Sequence, residues 1–222
     1  MFKWMALMLG VLLAVMTLVL LVVTRIEHRQ ARELVGKTPY TSPTNRASRT
    51  AVVYFSRSGN TALAARHVAL RLDAQLFALE APAYPLGVGG LASALRDANA
   101  LKETPAALPE LIPRTVDLTP FDTVWLGSPV WLYSPAPPIW AFVEHNRFDG
   151  KHVVLFNTFN SHFGDEHIAR LEAKVMARGA RSFEHRHVLR GRMTQQITPD
   201  EMIQAIDETW FDDMHHAQVP QR

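Results

Sequence analysis

Three hydroxyl side chains, an amide and a glycine lie within six residues of this chain, Ser56-Arg57-Ser58-Gly59-Asn60-Thr61. They follow the strand-like run 51–55 and precede the helix-like run 61–72. A glycine lets the backbone curl close to a ligand, and the N–H groups and dipole of a helix N-terminus favour an anion. The pattern predicts a phosphate site. The alternative is a plain strand-to-helix turn in which Thr61 caps the helix.

Other nucleotide-binding loops fit the chain less well. It has no Gly-x-x-x-x-Gly-Lys-Ser/Thr run, and residues 58–60 do not begin a Gly-x-Gly-x-x-Gly fingerprint. A hydroxyl-rich loop without lysine suits a single phosphate monoester better than a triphosphate with magnesium.

Composition limits the remaining classes of function. The chain has 222 residues, 48% of them hydrophobic, which allows one domain and an appendage. Without cysteine it can form no disulfide, thiolate metal site or iron–sulfur cluster. The basic charge is local: residues 25–49 carry a net +4, whereas residues 51–222 carry a net −3. We therefore expect no nucleic-acid partner.

A long apolar segment near the N-terminus predicts a membrane anchor. Residues 5–23 contain no charge, and as a helix they span about 30 Å, the thickness of a bilayer core. A cleaved signal peptide is the alternative, but no small-residue cleavage site follows the segment. Segments rich in lysine and arginine next to a membrane span stay on the cytoplasmic side, so the soluble part should face the cytoplasm. The basic residues can also contact anionic lipid headgroups. These residues are Arg25, Arg29, Arg32 and Lys37.

The rest of the chain divides by composition. We predict a transmembrane anchor at 1–24, a basic juxtamembrane segment and tether at 25–49, a globular domain at 50–213 and a polar tail at 214–222. Residues 38–48 are rich in proline and polar residues and predict a tether without structure of its own.

Apolar and amphipathic runs alternate along the globular domain. Strands are predicted at 51–55, 74–79, 123–126, 152–156 and 182–189, and helices at 61–72, 91–101, 138–144, 166–178 and 199–211. This alternation predicts an α/β fold, a doubly wound five-stranded parallel sheet preceded by one transmembrane helix. Ligands of such sheets bind beyond the carboxyl ends of the strands.

Two further loops follow predicted strands at this edge. The loop 127–138 contains Trp131 and Tyr133 among four prolines, and rigid aromatic side chains there could line a slot for a flat ring. Covering the underlying helix is the alternative role for these rings. The loop 157–165 again combines aromatic rings, amides and a glycine.

Together the three loops resemble those of the flavodoxin family. Residues 56–61 resemble its phosphate loop. Residues 127–131, with the prolines that follow and residues 139–142, resemble the second flavin loop of flavodoxin-like and related quinone-reductase domains. Residues 157–165 lie where the third loop belongs. The resemblance covers residues 50 to about 211, and it implies the strand order 2-1-3-4-5 and non-covalently bound FMN.

The resemblance also implies site residues, carried over by position. The phosphate would be held by the side chains of Ser56, Ser58, Asn60 and Thr61 and by the loop amides, including those of Arg57 and Gly59. The isoalloxazine would be lined by Ser128, Pro129, Val130 and Trp131, with Trp131 as the stacking candidate and Tyr133 beside it. The other side would be closed by Thr158, Phe159, Asn160 and Gly164.

The chain departs from the family pattern in its third loop. That loop lacks the run of glycines common in the quinone reductases, and it offers Phe159 or Phe163 where electron-transfer flavodoxins typically have a stacking tyrosine. His162 in this loop is a candidate proton donor near a reduced flavin or quinone.

No metal site is predicted, because His185 and His187 share a strand face without a carboxylate at suitable spacing.

Two functions follow from this sequence. The first is a membrane-anchored FMN-binding redox protein that transfers electrons to a protein partner or reduces a quinone-type acceptor. A one-electron carrier and a two-electron FMN-dependent oxidoreductase linked to quinone or NAD(P)H both remain open. The second is an interaction module of the same fold, tethered to the membrane without flavin.

Overall fold

The computed structural model describes residues 2–42, 48–103, 108–191 and 195–211. The strands are β1 (Thr50–Phe55), β2 (Gln75–Leu79), β3 (Thr123–Trp131), β4 (Ser134–Pro135), β5 (His152–Phe159) and β6 (Ser182–Leu189). The helices are α1 (Phe2–Leu34), α2 (Asn60–Leu72), α3 (Val88–Glu103), α4 (Pro137–His145), α5 (Asp165–Ala177) and α6 (Pro199–Ile206), and the π-helical turn Asp207–Phe211 follows α6.

The strands form one sheet in the order β2-β1-β3-β5-β6, and all neighbours on this path are parallel. The two-residue strand β4 pairs antiparallel with the end of β3. Counted without β4, the five long strands follow the order 2-1-3-4-5. The predicted doubly wound α/β fold is therefore confirmed.

Both faces of the sheet are buried because the central strands are apolar on both sides. Val53 of β1 belongs to a core with α3, α4 and α5, including Ile139 and Leu171. Its neighbour Val52 belongs to a second core with α2, α6 and the π-helical turn, including Leu63 and Trp210. Alternate residues of one strand thus serve opposite layers, which explains the continuous apolar run.

Two strands extend beyond their predicted ends. β3 continues past Leu126 to Trp131, and β5 continues past Phe156 to Phe159, so part of each expected loop is strand. At Gly127 an added Cβ would lie 2.3 Å from Phe156 Cζ, so glycine leaves the space that the Phe156 ring occupies. The chain then turns at Leu132 (φ 46°) and Tyr133 (φ 74°) and returns as β4.

α1 is a single helix with two environments. By length and composition the stretch Lys3–Leu34 could cross a membrane, and its N-terminal side chains are exposed. Near its C-terminal end Thr24, Glu27 and Leu34 are instead buried against the domain. The predicted juxtamembrane segment is thus helical and packed as far as Leu34.

Residues 38–42 also differ from the expected structureless tether. The Tyr40 hydroxyl donates to the Ala74 carbonyl oxygen at 2.5 Å, and the Leu76 N–H donates to Ser42 Oγ at 3.0 Å. These bonds attach the segment to β2 and to the residue before it. Residues 43–47 and the predicted polar tail 214–222 lie outside the described residues.

Candidate functional site

A cleft of about 230 Å³ lies where β1, β3 and β5 end. All three predicted loops contribute to it. Ten of the predicted binding residues line its walls: Arg57, Ser58, Asn60, Thr61, Pro129, Val130, Trp131, Thr158, Phe159 and Asn160. The remaining predicted residues lie close in sequence to these but outside the lining: Ser56, Gly59, Ser128, Tyr133, His162 and Gly164.

The first loop presents an uncapped helix N-terminus to the cleft. α2 begins at Asn60 after Gly59, whose φ of 95° is in the left-handed region that favours glycine, and no side chain caps the helix. The Gly59 N–H donates to Ser56 Oγ at 3.1 Å. The buried Thr61 hydroxyl bonds to the Thr158 hydroxyl at 2.8 Å, so the alternative in which Thr61 caps the helix is wrong. First-turn N–H groups without helical partners are suited to an anion.

Arg57 joins the first loop to two other segments. Its Nη1 forms an ion pair with Glu27 of α1, and the two side chains are only 5% and 11% exposed. Its Nη2 donates to the Gly87 carbonyl oxygen at 3.0 Å, in the segment before α3. The positive charge of Arg57 is therefore balanced within the protein. Sequence reasoning missed Glu27, because no local pattern links residue 27 to residue 57.

The second loop supplies one structural hydroxyl and one aromatic wall. Ser128 is fully buried; its Oγ accepts from the Ala136 N–H and donates to the Pro129 carbonyl oxygen, each at 2.9 Å. The serine thus holds the turn that returns to α4. Trp131 lines the cleft and is held edge-to-face by Phe55 and Tyr84, at centroid distances of 5.6 and 5.2 Å.

A buried network of polar groups lies beneath the third loop. The Asn157 amide donates to the Ser128 carbonyl oxygen at 3.0 Å, which leaves Asn157 Oδ1 as the acceptor for His185 Nε2 at 2.8 Å. Burial, and then the neighbouring His187, lower the pKa of His185 to about 4. His185 is therefore neutral at pH 7 and carries its proton on Nε2.

Tyr133, His162 and Gly164 lie outside the lining of the cleft, where the second and third loops meet. Tyr133 is half-exposed and its ring stacks on His162 at a centroid distance of 4.6 Å. The Gly164 N–H donates to the Tyr133 carbonyl oxygen at 2.8 Å, which joins the second and third loops. His162 is exposed, and its role as a proton donor stays a prediction.

Arg190 is a cleft residue that sequence reasoning missed. It follows β6, is 6% exposed, and its Nε donates to Asn60 Oδ1 at 3.1 Å. Among the described residues its buried Nη1 has no hydrogen-bond partner. The two residues are 130 positions apart, so only the fold brings them together. Gln30 of α1 and Gln196 also line the cleft.

Comparison with known proteins agrees with this geometry. The family model for flavodoxin matches residues 49–204. The chain belongs to the flavodoxin family. No curated protein matches the chain significantly in sequence. α1 precedes the matched region.

Two solved structures share the fold of this chain. A protein from Bacteroides uniformis, assigned as a flavoprotein, is 23% identical with a TM-score of 0.58, over 73% of this chain and 99% of its own. A flavoprotein from Lactobacillus acidophilus in complex with FMN is 19% identical with a TM-score of 0.51, over 62% of this chain and 93% of its own.

Proposed function

We propose that this chain is a membrane-anchored redox protein that binds FMN in the cleft at the carboxyl edge of its sheet. The observation that carries the proposal is the convergence of the uncapped α2 N-terminus with the two other loops on one cleft. Membership of the flavodoxin family and the FMN complex of the Lactobacillus acidophilus protein support the choice of cofactor.

The groups present fit a flavin monophosphate. The N–H groups of the first α2 turn and the hydroxyls of Ser58 and Thr61 would hold the phosphate, and they need no metal ion to do so. Pro129–Leu132 on one side and Thr158–Asn160 on the other would enclose the ring system and exclude water. Bound FMN supplies reversible electron transfer, while the protein orients and shields it.

The position of α1 favours an acceptor that the membrane delivers. Glu27 and Gln30 line the cleft, and they lie four and seven residues beyond the end of the apolar segment at Val23. At 1.5 Å per residue these positions are about 6 Å and about 10 Å along the helix. The cleft is thus close to the lipid headgroups, within reach of a quinone-type acceptor or a membrane-bound redox partner.

The first test is an absorbance spectrum of the detergent-purified full-length protein. We expect flavin bands, and release of FMN in preference to FAD on denaturation. A colourless protein that also fails to take up added FMN would contradict the proposal and favour an interaction module without flavin.

Acceptor and topology need separate tests. In liposomes, the reduced anchored protein should be reoxidised faster by a long-chain lipid quinone than the same domain freed from residues 1–23. Equal reoxidation rates of both forms would overturn the membrane acceptor.

Protease added to intact cells should spare the domain if Arg25, Arg29 and Arg32 keep it in the cytoplasm. Digestion of the domain by external protease would overturn the cytoplasmic topology.

A further inference from the structure

Arg190 is buried beside the phosphate loop with part of its guanidinium unpaired. Its side chain lines the cleft together with Ser58, Asn60 and Thr61. Nε is occupied by Asn60 Oδ1, but Nη1 is buried and has no partner among the described residues. A buried donor without a partner costs free energy, and the cost is larger for a charged group.

The charge of Arg190 is also poorly balanced. The other arginine of the cleft, Arg57, is paired with Glu27. Arg190 forms no ion pair within the described part of the chain; the carboxylate of Glu201 acts on it only at a distance and is bonded to the Thr198 N–H in the cap of α6. Burial lowers the pKa of Arg190, as expected for a cation removed from water.

The surroundings of Arg190 add a second positive field. Asn60, which accepts the Nε hydrogen bond, is the first residue of α2, so the guanidinium lies near the positive end of that helix dipole. A cation and a helix N-terminus repel each other unless an anion lies between them. The loop hydroxyls then complete a donor set that suits a phosphate. Among the described residues that line the cleft, the carboxylate is that of Glu27, and it is paired with Arg57.

We propose that the Arg190 guanidinium binds the phosphate of FMN and so selects phosphorylated flavin over uncharged riboflavin. This inference rests on the proposed function. With Nε retained by Asn60, Nη1 donates to a phosphate oxygen, and the dianion neutralises both the arginine and the helix terminus. Riboflavin leaves the buried cation unpaired, and a site built for a charged group discriminates strongly against a ligand that lacks it.

The test compares FMN and riboflavin on the detergent-solubilised full-length protein stripped of flavin, by quenching of flavin fluorescence. Wild type should prefer FMN. Arg190→Gln should weaken FMN binding by about tenfold to about a hundredfold, the range for a lost hydrogen bond to a charged group. Its affinity for riboflavin should stay within about twofold of wild type, because the ring walls are unchanged.

The control is Arg186→Gln in β6, the strand that Arg190 follows. Arg186 also has a buried, unpartnered Nε, but it lies outside the cleft and donates to the Trp210 carbonyl oxygen at 2.7 Å. We expect it to lower stability and to leave the FMN-to-riboflavin ratio unchanged. If Arg190→Gln does not fold, Arg190→Lys, which keeps a cation but not the fork geometry, should still reduce FMN affinity several-fold and spare riboflavin.

An Asn60→Ala background separates binding from positioning. Arg190→Gln should weaken FMN binding further in that background if the guanidinium contacts the phosphate, and have no further effect if it only holds Asn60. Wild type that binds neither flavin would overturn the proposed function itself. Wild type that prefers FMN, with an unchanged ratio in the Arg190 variants, would overturn the role of Arg190 alone.

Discussion

Thr61 shows how a single hydroxyl serves the site. Its Oγ1 is buried, bonds to Thr158 Oγ1 at 2.8 Å and lies on the cleft wall. Thr61→Val keeps the shape and removes the donor, so FMN affinity should fall roughly tenfold or more, since a hydrogen bond to a charged group contributes about 1.5–3 kcal/mol. Titration of both proteins with FMN measures the effect. The Thr209 hydroxyl donates to the Ala205 carbonyl oxygen one helical turn away, so Thr209→Val is the control. An equal loss of FMN affinity in both variants would contradict a phosphate contact.

His185 gives the fold a pH dependence. Its pKa is about 4 in the folded protein, against an ordinary value of 6.5. Between these values the unfolded chain binds a proton that the folded chain does not, so stability should fall as pH drops from about 6.5 to about 4. His185→Gln can still donate to Asn157 Oδ1 and should flatten this decline. Thermal melts across the window test this, with the exposed His162→Gln as control; a decline as steep in His185→Gln as in wild type would exclude His185 as its source.

At the scale of elements, the junction of α1 and α2 depends on Gly59. An added Cβ would lie 3.1 Å from Leu34, and φ is 95°. Gly59→Ala should cost roughly 1–2 kcal/mol for the left-handed backbone, a melting point lower by about 2–8 °C, and should also weaken FMN binding. Gly150 also has a positive φ, but an added Cβ there would have no atom within 4 Å. Gly150→Ala should therefore lower stability and leave FMN affinity unchanged. Equal FMN loss in both variants would argue against a local effect at the phosphate loop.

The end of α1 is fixed by side chains of the domain. Arg66 of α2 donates from Nη2 to the Leu34 carbonyl oxygen at 2.9 Å and from Nε to those of Lys37 and Thr38 at 3.1 Å. The Leu34 carbonyl also accepts from the Lys37 N–H at 3.3 Å, and Lys37 and Thr38 follow the helix, so the arginine adds donors to the last turn of α1 and to the chain just after it. α1 and α2 therefore meet at a defined contact rather than through a free linker.

For the whole molecule, this contact predicts different results for two truncations. A chain without residues 1–23 keeps Glu27, Gln30 and Leu34 and should be soluble with its cofactor bound. A chain without residues 1–37 leaves Arg57 and Arg66 without these partners and uncovers the second core, so it should melt at a lower temperature. Calorimetry measures the melting temperature of both proteins. Identical melting temperatures would mean that residues 24–37 contribute nothing to the stability of the domain.

The sequence by itself determined the layers of this protein and one loop of its candidate site. Strands buried on both faces must be continuous apolar runs, and a hydroxyl-rich loop between such a strand and a helix is a local pattern, so residues 51–55 and 56–61 could be read directly. The apolar N-terminal segment was equally visible, because its length alone matches a bilayer.

Only the tertiary structure decided which distant groups complete the cleft. Glu27 reaches Arg57 across 30 residues and Arg190 reaches Asn60 across 130. The extension of β3 to Trp131 likewise depends on pairing with β5, which continues to Pro129 opposite Thr158. The periodicity of a sequence shows which face of a helix or strand is apolar. It does not show which faces of separate elements pack together, because packing over the whole chain decides that.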